Sequence, residues 1–239
     1  MAKSAAQARS QSAGLRFLSV LAALTPTPAL AGAWIAPEGG QEIWSNAAGY
    51  GDEGQFAESA VYWEIPADET FALVAGSWVE DNAAASEEGW RAEATVALKA
   101  ALIRNNRGAM AVQGGIVWRS EPGERGCSEA GAEARWLGGV SFGETNFVNL
   151  ELGARIQDGG CLDQRLDLTA GYRPSPRWLA MAEIFVDEPD GGDSKVQGQI
   201  TLVRFGDDDK GVQFGVRTRL DGKAQETAFV LGFWGRPGE

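Results

Sequence analysis

The 239-residue chain contains no histidine. That removes the commonest general base and the commonest side-chain ligand for transition metals together. Cysteine occurs only at Cys127 and Cys161. Two thiols without histidine do not make a zinc site, but they allow one internal disulfide. No stretch reaches about 18 consecutive apolar residues, so no helix is apolar enough to cross a membrane. Positive charge is also scarce, with 21 Lys and Arg against 33 Asp and Glu, for a net charge of −12. Phosphate backbones demand a basic face, which excludes nucleic acid as a partner. No nucleophile motif such as G-x-S-x-G is present either, so the chain is not expected to be an enzyme and implies no cofactor.

The amino terminus carries an export signal. Lys3, Arg9 and Arg16 are basic, and no acid precedes Glu38. The apolar stretch Leu15–Leu24 leads into Thr25-Pro-Thr-Pro-Ala-Leu-Ala31. A basic start, a short apolar centre and a small-x-small ending predict a signal peptide over residues 1–31, cleaved after Ala31. Cleavage removes three cations and no anion, taking the net charge from −12 to −15. No Cys follows the cut, so a lipoprotein is not indicated. Export into an oxidising compartment makes a Cys127–Cys161 disulfide the expected state.

From residue 40 onward the period is two. Along Trp90–Leu102, Trp, Ala, Ala, Val, Leu, Ala and Leu alternate with Arg91, Glu93, Thr95 and Lys99. A strand with one apolar and one charged face has this pattern, and the charges share no helical face. Comparable runs recur around Met110–Arg119, Glu133–Phe142, Val148–Ile156, Leu162–Ala170, Lys195–Leu202 and Val212–Arg219. Less regular runs lie near 41–48, 56–65, 70–79, 177–187 and 224–234. Twelve strands of roughly 9–13 residues result, about the length a tilted membrane strand needs. The connections alternate between short turns, such as Asn105–Gly108 and Pro174–Pro176, and longer loops, such as Glu80–Gly89 and Ser120–Gly131. Both Cys fall on neighbouring long connections.

Alternation alone also fits a soluble barrel or sandwich, with the apolar row inside. Three features favour the apolar row facing lipid. Twelve long strands enclose a lumen too wide for Val, Ala and Gly to fill. Rows rich in Ala and Gly suit a lipid boundary better than a packed core. Trp90, Trp118, Tyr172 and Trp178 lie near strand ends, where interfacial aromatic girdles sit. With the terminal strand Thr227-Ala-Phe-Val-Leu-Gly-Phe-Trp234, residues 32–239 resemble the small outer-membrane β-barrel proteins of Gram-negative bacteria. That resemblance implies one all-β, antiparallel, up-and-down transmembrane barrel, located in the outer membrane. Its implied partners are outer-membrane lipid and the insertion machinery that reads a terminal aromatic residue. Outer-membrane enzymes of this architecture use a histidine, which this chain lacks.

The polar rows then supply the candidate site. Arg91, Glu93, Lys99, Arg119, Glu133, Arg135, Glu151, Arg155, Asp163, Arg165, Asp167, Arg217 and Arg219 are predicted to line the lumen, with Glu183 and Lys195 in the same rows. Hairpin registers place Glu93 near Arg119, Glu133 and Arg135 near Arg155, and Asp163 opposite Arg155. Such a lining reads either as a selectivity surface or as a charge-compensated, rigid interior. Asp187-Glu-Pro-Asp-Gly-Gly-Asp193 has carboxylates enough for calcium, but not at the EF-hand spacing; it reads as a solvated loop, and no metal site is expected. No long connection is an obvious plug. The functional expectation is therefore a passive or weakly selective channel for small solutes. The alternative is a non-conducting structural or surface-interaction barrel, such as a partner in envelope polymer export. The Gly32-Ala-Trp-Ile-Ala-Pro-Glu-Gly39 opening suggests no function on its own.

Overall fold

Twelve antiparallel strands hydrogen-bond in sequence order, and the first closes onto the last in a computed structural model that describes residues 32–52, 54–81, 89–120, 127–206 and 210–237. They are β1 (Gln41–Gly51), β2 (Gly54–Pro66), β3 (Phe71–Asp81), β4 (Trp90–Arg104), β5 (Gly108–Arg119) and β6 (Ala130–Phe142), followed by β7 (Asn146–Gln157), β8 (Cys161–Ser175), β9 (Trp178–Glu188), β10 (Lys195–Phe205), β11 (Gly211–Arg219) and β12 (Glu226–Gly235). Closure through the β1–β12 pairing, Glu42 opposite Gly235 to Gly51 opposite Glu226, leaves no free sheet edge. No helix occurs among the described residues. The predicted signal peptide, residues 1–31, lies outside them.

Sequence period and barrel geometry agree on the faces. Ile116, Ile200 and Phe229 are 69%, 71% and 76% exposed, while their neighbours Val117, Thr201, Ala228 and Val230 are buried. The exposed row is the outer wall. Ion pairs between strands that are not neighbours prove the other row interior, because such contacts can form only through the lumen. Arg217 on β11 reaches Glu58 on β2, and Arg155 on β7 reaches Glu93 on β4. An apolar exterior over a polar interior is the membrane-barrel sense of the pattern.

Exposed aromatics gather toward the strand ends. Trp90, Trp118 and Tyr172 stand on the outer wall, and Trp178 lies half-buried beneath the Arg204 guanidinium. At the end bearing the short turns, the periplasmic end in this fold, Trp44 and Trp63 both donate indole hydrogen bonds to Glu42, at 2.6 and 2.7 Å. The terminal aromatic pair divides between the faces. Phe233 is exposed on the wall, whereas Trp234 turns inward and donates to Gln213 at 2.6 Å.

At the opposite end Cys127 and Cys161 form the disulfide, both buried, with Cα atoms 5.9 Å apart. It ties the β5–β6 loop to the start of β8. Gln157 Nε2 donates to the Ser128 carbonyl at 2.6 Å, and the Asp158 N–H to Ser128 Oγ at 3.1 Å, so the joint is also hydrogen-bonded.

Residues 32–40, just before β1, turn back into the barrel. Gly39 and Gly40, at φ of 91° and 81°, reverse its direction, a conformation that side-chain-bearing residues rarely adopt. A Cβ at Gly40 would also stand 2.6 Å from the Glu64 carbonyl oxygen. The reversal sends the chain back into the lumen, where Ala33, Trp34, Ile35 and Ala36 are all buried, while Pro37 and Glu38 stay exposed. The sequence reading that no long connection is an obvious plug concerned only the loops between strands. The plug comes from the amino-terminal segment instead.

Candidate functional site: the barrel lumen

Near the periplasmic end, two groups of side chains narrow the lumen. Trp34 packs with Ala33, Ala109, Ala111 and Leu137 against β5 and β6. Gly139 makes room for it, since a Cβ there would overlap the Trp34 ring. Phe147, Leu179, Met181 and Val203 form a second apolar cluster on β7, β9 and β10, with Phe205 and Trp234 against it. Between its ends, the segment 32–40 connects the β1–β2 side with Asn149 and Glu151 on β7, the strand diametrically opposite β1. With strands about 4.8 Å apart and tilted about 40°, a twelve-stranded barrel is about 24 Å across. A stretch of this length reaches roughly 27 Å when extended, which suffices to cross it.

Polar contacts fix the segment in place. Glu64 and Lys99 are almost fully buried and pair at 2.9 Å. Lys99 Nζ also donates to the Trp34 carbonyl at 2.7 Å, and Glu64 Oε1 accepts the Ala36 N–H at 2.7 Å. The Tyr62 hydroxyl donates to the other Glu64 oxygen at 2.5 Å. Burying a charge is costly unless it is paired and hydrogen-bonded, and here both partners are. Lys99 was predicted to line the lumen. It does face inward, but it serves to hold the amino-terminal segment.

Above the plug, toward the loops, the inward charges form one connected chain. Arg155 engages Glu93 through both terminal nitrogens, at 2.8 and 2.6 Å, and Glu133 at 2.8 Å. Arg119 joins Glu93 at 3.2 Å to Asp163 at 2.8 Å. Arg135 bonds Glu133 at 2.5 Å and lies 3.7 Å from Glu151. Four carboxylates, of Asp163, Glu93, Glu133 and Glu151, thus alternate with the three guanidiniums of Arg119, Arg155 and Arg135. The expected Glu93–Arg119 and Glu133–Arg155 neighbours are present. Asp163 lies opposite Arg155 in the β7–β8 register, but its ion pair goes to Arg119, and Arg135 lies opposite Gly153.

The remaining predicted residues pair separately. Arg165 bonds Asp167 at 2.9 Å and lies 3.9 Å from Asp187. Arg91 bonds Glu80 at 2.8 Å and stacks over inward-facing Trp78. Arg217 bonds Glu58 at 2.6 Å with both side chains largely buried, and Arg219 bonds Asp221 at 2.8 Å. Glu183 accepts from Gln199 at 2.8 Å, and Lys195 pairs with Glu226 at 2.9 Å. Among the described residues, no group of His, Cys, Asp and Glu could hold a metal ion. The acidic run at 187–193 is dispersed, with Asp187 directed to Arg165, the Asp190 N–H bonded to Asp163, and Asp193 bonded to Lys223.

Outside the membrane-spanning strands, the β11–β12 loop turns on Asp221. Burial works to raise its carboxyl pKa, but hydrogen bonds from the Lys223 N–H, the Arg219 guanidinium and the Val196 N–H outweigh that and hold it at about 2. Asp193 is also lowered, by the hydrogen bond and charge of Lys223.

Glu58, Glu64, Glu80 and Trp34 escaped prediction. The first two share a row with Phe56, Ala60 and Tyr62, which blurs its polarity, and Glu80 closes a mostly apolar run. Nothing in a period-two reading points to Trp34, because the segment holding it is not a strand.

No described protein family matches the sequence, and no curated protein is significantly similar to it. Solved structures do share its shape. A KdgM porin superposes with a TM-score of 0.58 at 10% identity, covering 80% of this chain and 97% of that one. A NanC porin does so with a TM-score of 0.59 at 9% identity, over 80% and 98%. An outer membrane channel from Pseudomonas putida F1 gives a TM-score of 0.53 at 11% identity, over 84% and 96%. With its closed ring of twelve strands, apolar exterior and ion-paired interior, the chain has the fold of porin-type outer-membrane β-barrels.

Proposed function

We propose that the protein is an outer-membrane channel for small solutes, passive and only weakly ion-selective. The observation that carries this reading is the inward face itself. A connected chain of ion-paired side chains, from Asp163 to Glu151, lines the interior of a closed barrel whose exterior is apolar. Similar barrels bear the names porin and channel, and one structure is a complex of the KdgM porin with disordered oligogalacturonate. Weak selectivity follows from the pairing, because a guanidinium within 3 Å of a carboxylate presents little net field to a passing ion. Outer-membrane lipid is then the solvent of the outer row, and the insertion machinery would meet Phe233 and Trp234. The thirteen predicted charges act here mainly in pairs, as walls of the path rather than as separate binding groups.

The buried segment 33–36 favours a second reading, a barrel that does not conduct and serves a structural or surface-interaction role. Purified, folded protein in a planar lipid bilayer separates the two. The channel reading expects discrete conductance steps, with a reversal potential in a salt gradient close to that of a non-selective pore. Absence of steps both from the intact protein and from a variant lacking residues 33–38 refutes it.

A further inference from the structure

We infer that cleavage after Ala31 completes the interior of this barrel: the new α-ammonium of Gly32 pairs with Glu151 and pins residues 32–38 as a removable plug. The inference rests on reading the lumen as a conducting path.

Three observations carry it. The first is position. A Cβ built on Gly32 would lie 3.0 Å from Glu151 Oε1 and 3.4 Å from Asn149, so the backbone at residue 32 touches the far wall of the lumen. The predicted cleavage point thus falls beside Glu151 and Asn149.

The second is charge. The central ion-pair chain ends on Glu151 and holds four carboxylates against three guanidiniums. Among the described residues, the Glu151 ion pair is the 3.7 Å contact with Arg135, which is already bonded to Glu133 at 2.5 Å. The other nearby cations are committed too, Arg165 to Asp167 and Lys99 to Glu64. An α-ammonium at Gly32 supplies the fourth cation beside the carboxylate that needs one.

The third is the character of the plug's contacts. Trp34 and its neighbours are buried, but the segment's described polar anchors are the Glu64–Lys99 pair at its carboxyl-terminal part. Its leading end lies against Glu151 and Asn149. A charge-assisted bond from Gly32 to Glu151 would fasten it, and because residues 33–36 belong to no strand, the segment could come out without unfolding one.

The test uses full-length precursor expressed and processed in a Gram-negative host. Intact mass should show a chain beginning at Gly32; any other start overturns the inference. Amide hydrogen exchange over residues 33–36 is then compared in three folded proteins, verified by heat-modifiable gel migration. These are the wild type, Glu151→Gln, and a variant with Ala-Ala inserted after Gly32, which moves the ammonium away from the wall while leaving Glu151 intact. A charge-assisted hydrogen bond predicts exchange faster by about 10- to 100-fold in both variants. Unchanged exchange in both overturns the pairing. If only Glu151→Gln responds, Glu151 stabilises the segment without the ammonium, which also overturns it. Bilayer conductance of the wild type and of a deletion of residues 33–38 tests the plug separately. Larger steps after deletion are expected. Equal steps overturn the plug while leaving the channel reading intact, and no steps from either protein defeat the channel reading alone, because the exchange result stands without it.

Discussion

Replacing Lys99 with Met tests the structural logic of the lumen. The Lys99 and Glu64 side chains are 1% and 3% exposed and 2.9 Å apart. Lys99→Met keeps most of the volume but leaves the Glu64 carboxylate buried with only the Tyr62 hydroxyl and the Ala36 N–H as donors. Breaking one side of a buried pair costs about 3–5 kcal/mol, and the two remaining donors place the cost near the lower end, about 3 kcal/mol. The Trp34 carbonyl loses its donor as well. A second background makes the reasoning falsifiable. Without residues 33–38, water reaches the pair, and the same substitution should cost no more than about 1 kcal/mol, as for solvated ion pairs. Adding Glu64→Leu to Lys99→Met should recover part of the loss, because it removes the orphaned charge. Urea unfolding in detergent micelles, followed by tryptophan fluorescence and gel migration, reads the wild type and the four variants. An equal cost with and without the plug would refute the claim that the plug is what desolvates the pair.

Arg217→Glu sets two carboxylates where Arg217 and Glu58 now lie 2.6 Å apart, and should destabilise the barrel by about 3 kcal/mol or more, whereas the exchanged pair Arg217→Glu with Glu58→Arg should restore most of it; equal stability of both variants in urea would contradict the pairing. Reducing Cys127–Cys161, which closes a separation of 34 residues, should lower the unfolding free energy by about 3–4 kcal/mol while folded gel migration persists, and an unmoved urea midpoint would count against it. The Asp221 loop should respond to acid in a defined window. The folded carboxyl titrates at about 2, below the ordinary value of about 3.9, so its contribution is complete above pH 4 and fades as pH falls toward 2. Carbon-13 titration of Asp221 with a midpoint near 4 would show that the loop does not hold it.

The wall of the barrel was readable because each strand obeys a local rule. Residues such as Val96, Leu98, Ile116 and Ile200 face lipid every second position, and slipping any strand by one residue would turn its whole charged row into hydrocarbon. Strand count, face and neighbour pairs follow from that rule, as does the approach of Glu93 to Arg119 and of Glu133 to Arg155. What does not follow is the partner of a charge across the lumen. Arg155 meets Glu93 three strands away, and Arg217 meets Glu58 across β12 and β1. Those distances depend on closure, which no hairpin register contains.

The contents of the lumen were hidden for a different reason. A period-two pattern reports which way a wall residue points, and is silent about a segment that belongs to no wall. Trp34 sits before the first strand, in a stretch whose composition matches any polar–apolar linker. The clues were present but indirect. Two adjacent glycines, Gly39 and Gly40, mark a reversal rather than an exit, and Gly139 interrupts an inward row that elsewhere carries Arg135 and Leu137. Lys99 was the stronger clue. An ammonium on an inward row of a narrow barrel is unremarkable when hydrated, yet this one is 1% exposed, and a lysine is almost never so buried unless something covers and pairs it. Its register neighbours, Ala72 on β3 and Gln113 on β5, supply neither a cover nor a negative charge. The cover has to come from outside the sheet, and the only uncommitted stretch of described chain long enough to reach Lys99 is the one that precedes β1.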